Sequence, residues 1–193
     1  MQNDDVLVVL ARRAVGGDPG SLDELLRELE PLVVRTVRLI VGSGSAVAED
    51  AAQEALLDVA RGIAQLRTPE AARGWALRVA TTRALKFARG ERLLWRRRSN
   101  LAELELVGRP HDGRSGALKE AFDRLPPRVR ATAVLRLYAG LGEAETAEAL
   151  GCSLGTVKSN LHDARKRLTA SLEEAGFAPA VLSLPLPRVE EIA

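Results

Sequence analysis

Side chains suited to covalent or metal chemistry are scarce in this sequence of 193 residues: two histidines, His111 and His162, and one cysteine, Cys152. They leave few nucleophile–base or metal-ligand combinations, and no glycine-rich phosphate loop follows a strand pattern. Glu49, Asp50 and Glu54 cluster in sequence, but the further ligands of a metal site are missing. Cys152 reads as a small turn-packing thiol rather than a redox switch. No catalytic residue, metal site or cofactor is expected. The sequence offers charge instead, and the charge is segregated. Met1–Glu70 carries a net −5, Ala71–Arg98 a net +8 and Ser99–Ala193 a net −1. Within the middle stretch stand Arg73, Arg78, Arg83, Lys86, Arg89 and Arg92. Such a concentration suits a polyanion better than a merely solvated helix face.

Two further sets of residues point to binding. Asp50, Gln53, Glu54, Leu57 and Arg61 share one side of a predicted helix whose other side is apolar, with Ala52, Leu56, Val59, Ile63 and Leu66. A leucine exposed among carboxylates and an amide is a small anchor in an acidic rim, which a basic protein surface would take. In Gly142–Leu168, two short helices flank a tight turn. Glu143–Leu150 favours a helix, Gly151 can end it in the left-handed conformation, and Ser153 sits where the next N-cap belongs. Val157, Leu161, Ala164 and Leu168 then form one stripe, with Gly155, Ser159, His162 and Lys166 opposite, flanked by Lys158 and Arg165. Small Ala147 and Val157 allow a close crossing. This is the pattern of a DNA-binding helix-turn-helix.

The elements that must carry these faces are all helical. Hydrophobic residues make up 46% but aromatic ones only 3%, so the core is built from Leu, Val and Ala, which favours packed helices over sheet. A first helix is predicted over Asp4–Val15, closed by Gly16-Gly17. A second follows the Asp18–Ser21 cap with Leu22, Leu25, Leu26 and Leu29, and Pro31 is expected to open a third. A long helix over Ala46–Leu66 carries the acidic face. The basic helix covers about Glu70–Arg97, starts at the Thr68-Pro69 cap, and is expected to bend at Thr81-Thr82. Trp75 belongs to the core; for Trp95, packing and surface contact both stay open. The fold class is all-α, with two small helical domains at 1–98 and 117–175, a flexible linker at 99–116 and a disordered tail at 176–193. Within the linker, Leu101–Val107 could form a short helix. In the second domain a helix around Leu118–Leu125 ends at Pro126-Pro127, Arg128–Ala139 forms another, and the helix-turn-helix comes last. With no run of apolar residues long enough to span a membrane and no signal pattern, a soluble cytoplasmic protein is expected.

Two separated motifs resemble one family. Ala48-Glu49-Asp50-Ala51-Ala52-Gln53-Glu54 is similar to the region 2.2 signature of sigma factors of bacterial RNA polymerase. Arg73-Gly74-Trp75-Ala76-Leu77-Arg78-Val79-Ala80, with the Arg-rich helix after it, resembles their regions 2.3–2.4. Leu125-Pro126-Pro127-Arg128 through Leu137, then Gly151–Ser159, resembles region 4. With two domains and a short linker, the chain looks like the extracytoplasmic-function (ECF) class over about Asp4–Leu172.

The resemblance implies a set of partners. Asp50, Gln53, Glu54 and Leu57 would dock on the clamp helices of the largest subunit of core RNA polymerase, with the flap as a further contact. Arg78, Arg83, Lys86 and Arg89 would meet phosphates of the minus-ten promoter element, and a base of the melted strand would be captured near Thr81 and Thr82. The recognition helix would read the minus-thirty-five element through Gly155, Thr156, Ser159, His162 and Lys166, with Lys158 and Arg165 on backbone. An anti-sigma factor is a further candidate partner. Family members often carry Asn and Asp where this chain has Thr82 and Lys86, and arginine where it has Asn160 and Asp163. The alternatives are a helix-turn-helix regulator acting without core polymerase, and a sigma-like protein that no longer initiates.

Overall fold

The computed structural model describes residues 2–42, 45, 47–99 and 114–177. Among the described residues all regular structure is helical. α1 (Gln2–Val15) closes at Gly17, whose φ of 90° is a left-handed turn. α2 (Pro19–Val41) starts on an Asp18 cap: the carboxylate accepts the backbone N–H groups of Gly20 and Ser21, each at 3.3 Å. α3 (Ala48–Gly62) runs through two short 3₁₀ turns, Ile63–Gln65 and Pro69–Ala71, into α4 (Ala72–Ser99).

The second half opens with α5 (Arg114–Asp123). α6 (Pro127–Ala133) continues in one π-helical turn, Val134–Tyr138. α7 (Glu143–Leu150) and α8 (Leu154–Glu174) complete it.

Three expectations need correcting. Pro31 does not open a helix; it lies inside α2, on an exposed position. Proline in a helix interior costs about 3 kcal/mol, but Leu25, Leu29, Val33, Val37 and Ile40 form one unbroken, fully buried stripe across it. Splitting the helix would have pulled that stripe apart. Thr81-Thr82 does not interrupt α4, which is helical from Ala72 to Ser99. Finally, Pro127 stands at the first position of α6, where its missing N–H costs nothing. Of the expected linker, Ser99 ends α4 and Arg114–Gly116 begin α5; the rest, with Leu101–Val107 and His111, lies outside the described residues, as does the tail beyond Phe177.

α2 is the central helix of the first half and packs on α1, α3 and α4. The α4 side of that packing is made of alanine at every fourth residue, Ala72, Ala76, Ala80, Ala84 and Ala88, all buried. Against it α3 supplies Ala48, Ala51, Ala52 and Ala55. Small side chains let helix backbones approach closely, so little apolar volume is needed per contact. Gly62 serves the same end: a Cβ there would stand 2.7 Å from the Trp75 ring, which packs across it.

The two halves share a core. Leu135, Leu141 and Leu150 of the second half are buried in one cluster with Leu29, Val37 and Leu77 of the first. A smaller cluster, Leu125, Val129, Ala164 and Leu168 among others, holds α5, α6 and α8 together.

Candidate partner and nucleic-acid interfaces

The acidic face of α3 is built as the sequence suggested. Ala51, Ala52, Ala55 and Val59 turn inward, and this leaves Asp50, Gln53 and Glu54 exposed around Leu57, which is 51% exposed. Glu49 and Asp50 sit in the first turn, where carboxylates suit the positive end of the helix dipole. Glu49 is engaged by Arg38 of α2 at 2.6 Å.

The next step along this face was not anticipated. Glu54 and Asp58, one turn apart, both receive Arg83 from α4. Arg83 Nη1 donates to Glu54 Oε2 at 2.6 Å, and its Nε donates to Asp58 Oδ2 at 2.9 Å. The Asp58 hydrogen bond, with both nearby carboxylates, raises the Arg83 pKa above its ordinary value and overcomes burial. Arg83 therefore ties α4 to α3 and is only 22% exposed at its side chain. Two carboxylates at the edge of the bundle balance its charge, which sets it apart from the other cations of the expected phosphate set. The i,i+4 spacing of Glu54 and Asp58 was the available signal, and Asp58 was missed.

On α4 the remaining residues separate by face. Thr82, Lys86 and Arg89 are exposed, and with Arg78 they form one stripe at helical spacing. The Thr82 hydroxyl donates to the Arg78 carbonyl at 2.9 Å. Thr81 is not on this stripe: it is fully buried, and its hydroxyl has no hydrogen-bond partner. The expectation that Thr81 captures a base is corrected by that burial, because adjacent helical residues point 100° apart. Arg78 is half-covered from the second half of the chain, its Nη1 lying 3.0 Å from Glu148 Oε1 of α7.

The helix-turn-helix forms as read. Gly151 ends α7 at φ 58° and ψ 47°, and the Ser153 hydroxyl accepts the Thr156 N–H at 3.1 Å to start α8. Val157, Ala164 and Leu168 are buried. Gly155, Thr156, Lys158, Ser159, His162, Arg165 and Lys166 are all exposed, so among the described residues nothing covers that side of α8. Lys158 lies 3.7 Å from Glu143. The two unusual residues have structural uses. Asn160 Nδ2 donates to Thr132 Oγ1 of α6 at 3.1 Å, and Asp163 accepts from Arg167 at 2.8 Å. Asp163 is thereby partly neutralised by its own helix neighbour. Among the described residues no group of histidine, cysteine or carboxylate side chains could hold a metal ion. Nor, among them, is any helix long and apolar enough to cross a membrane.

The family model for sigma-70 region 2 matches residues 25–93, and that for sigma-70 region 4 matches residues 115–168. The first runs from within α2 to within α4, and the second from the start of α5 to within α8. Curated relatives include the ECF RNA polymerase sigma factor SigE of Mycolicibacterium smegmatis, 34% identical over 157 residues, spanning 77% of this chain and 60% of that protein. SigD of Mycobacterium tuberculosis, also named an ECF RNA polymerase sigma factor, is 30% identical over 190 residues, 91% of this chain and 88% of the relative. Among solved structures, CnrH in complex with the cytosolic domain of CnrY matches with a TM-score of 0.62 at 19% identity, covering 88% of this chain and 98% of that one. The sigma factor RpoE bound to the anti-sigma factor NepR from Bartonella quintana matches at 0.64 and 19%, over 78% and 96%. At such identity the structures establish the fold.

Proposed function

Because the chain belongs to the ECF sigma factors of the sigma-70 family, we propose that its three faces divide the work of promoter-specific initiation. It is a specificity subunit: it binds core RNA polymerase and directs transcription from promoters with minus-ten and minus-thirty-five elements. Asp50, Gln53, Glu54 and Leu57 on α3 dock on the polymerase clamp helices. Arg78, Thr82, Lys86 and Arg89 on α4 meet the minus-ten element and its melted strand. The exposed side of α8, from Gly155 to Lys166, enters the major groove at minus-thirty-five. The chain works in the cytoplasm and needs no cofactor, since stabilising a melted strand requires binding energy rather than bond chemistry.

The observation that supports this reading best is Leu57, 51% exposed on a helix whose other apolar residues turn inward. A leucine held in water by a rigid helix gains from a partner, and the surrounding carboxylates favour a basic one. Glu54 also holds Arg83, so reversing its charge would disturb the bundle. The test uses Asp50→Arg with Leu57→Glu instead. The double variant keeps its helical circular dichroism but no longer co-purifies with core polymerase or supports run-off transcription. Retention of polymerase by the variant would remove α3 from the interface.

A further inference from the structure

The proposed polymerase face and the proposed promoter stripe lie on different helices, so whatever fixes α3 against α4 also fixes one face relative to the other. Much of that junction carries little direction. The two helices pack together, and the buried side of each is largely alanine: Ala51, Ala52 and Ala55 on α3, Ala76, Ala80 and Ala84 on α4. An alanine ridge is one carbon deep, so it sets how closely the axes approach but resists sliding and pivoting only weakly.

Two contacts do carry direction. Near the turn between the helices, the half-buried Trp75 ring packs across Gly62, where a Cβ would stand 2.7 Å from it. Arg83 stands about 12 Å further along α4, at 1.5 Å per residue, and reaches back to α3. Its Nη1 donates to Glu54 Oε2 at 2.6 Å, its Nε donates to Asp58 Oδ2 at 2.9 Å, and its Nη2 donates to that same Asp58 oxygen. The Arg83 side chain is 22% exposed and that of Asp58 30%, so water and salt weaken this pair less than the Arg38–Glu49 pair beside it, at 51% and 63%. Glu54 also belongs to the proposed docking set. Asp58 does not, and it holds two of the three guanidinium nitrogens, so the tie persists when a basic partner draws Glu54 away.

We propose, on the sigma-factor reading above, that Arg83 and Asp58 are positioning residues for promoter opening: they hold α4 at the angle to α3 at which a docked chain presents Thr82, Lys86 and Arg89 to the melted minus-ten strand. Neither residue needs to touch polymerase or DNA. Two fixed points are required because α4 can pivot about one. A pivot of about 5° around Trp75 carries Arg89, about 21 Å along the helix, through about 2 Å. Charge-assisted hydrogen bonds span about 2.7–2.9 Å, so such a shift breaks them unless the side chain follows. Lysine and arginine follow in part, and their attraction to duplex phosphates is long in range. The short Thr82 side chain does not follow, and an unpaired base is held only where fixed groups replace its lost stacking and pairing. Loss of the tie therefore spares docking and duplex binding and impairs melting.

Asp58→Asn and Arg83→Lys test this with little change of size: the first removes the carboxylate charge, the second keeps a charge but loses the guanidinium fork. The readout is permanganate reactivity of unpaired thymines in the complex of core polymerase, the chain, and a promoter that the wild type opens. Both variants should bind core polymerase and duplex promoter as the wild type does. Both should lower thymine reactivity about ten-fold, short of the roughly 100-fold that a 1 Å misplacement can cost where groups cannot follow. Each is then combined with Thr81→Val, which removes a buried, unpartnered hydroxyl and offsets lost stability without touching the tie. The urea midpoint should recover while thymine reactivity stays low.

Recovery of both together would mean that the pair only stabilises the bundle, and the positioning role would fall. If Arg83 gripped the strand itself, Asp58→Asn would free it and raise reactivity. That result, or wild-type reactivity in both single variants, would overturn the proposal while leaving the sigma-factor reading intact. A wild-type chain that neither binds core polymerase nor opens a promoter with it would remove the reading itself.

Discussion

Thr81 and Thr82 are neighbours with opposite fates, and they show how one residue step decides a role. Thr82 faces solvent beside Lys86, whereas Thr81 is sealed between helices with its hydroxyl unpartnered. Burying a hydroxyl without a partner costs about 1–3 kcal/mol. Thr81→Val keeps the branched shape and removes the orphan group, so it should raise unfolding stability by about 1 kcal/mol in urea titration. Transcription from a cognate promoter should be unchanged. A loss of open-complex formation in Thr81→Val, with stability raised, would restore Thr81 to the nucleic-acid surface. The position was legible in principle, because Leu77, Ala80 and Ala84 already marked the inward side of α4. The assumption of a bend at two β-branched residues hid it. Leu57, by contrast, was readable from spacing alone, since no periodic core stripe on α3 could include it. Arg83 was misread for a different reason: its partners lie on another helix, and a run of arginines does not reveal which one turns inward.

At the scale of elements, periodicity served well wherever a buried stripe was long. It placed α1, α3, α4, α7 and α8 close to their observed bounds. It failed at Pro31, where a local breaker rule was set against a stripe that the proline does not interrupt. Tertiary burial outweighed the lost hydrogen bond. For α4 the consequence is functional. With Arg83 spent on Glu54 and Asp58, Lys86 and Arg89 are, among the described residues, the exposed cations of the proposed minus-ten stripe beyond Arg78, and they should carry much of its salt dependence. Replacing both with glutamine removes two phosphate contacts, which should lower the slope of log affinity against log salt by about 1.4–1.8. Arg83→Gln should instead lower stability, with little change in that slope. Binding of polymerase holoenzyme to promoter DNA, measured across a salt series, separates the two. An equal slope in the Lys86→Gln/Arg89→Gln variant would take α4 off the phosphates.

The arrangement of the whole molecule was the least legible, and for a physical reason. The halves meet through arginine side chains on backbone carbonyls, as Arg73 on Ala139 and Arg130 on Val41, and such contacts leave no spacing in either segment. The shared burial of Leu135, Leu141 and Leu150 was equally silent, because a helix reports that it has an apolar side but not which neighbour covers it. These contacts predict that the free chain unfolds as one cooperative unit. Both tryptophans, Trp75 and Trp95, lie in the first half, so fluorescence follows that half while far-ultraviolet circular dichroism follows every helix. The two denaturation curves of the wild-type chain should coincide. Arg130→Ala removes a buried charged donor from the α2 end, at a cost of about 1.5–3 kcal/mol, and takes one tie between the halves with it. In that variant the dichroism curve should broaden and begin at lower denaturant, while the fluorescence midpoint moves less, because the second half loosens first. Separate transitions already present in the wild type would mean that the halves fold independently and that the shared cluster contributes little to holding them together.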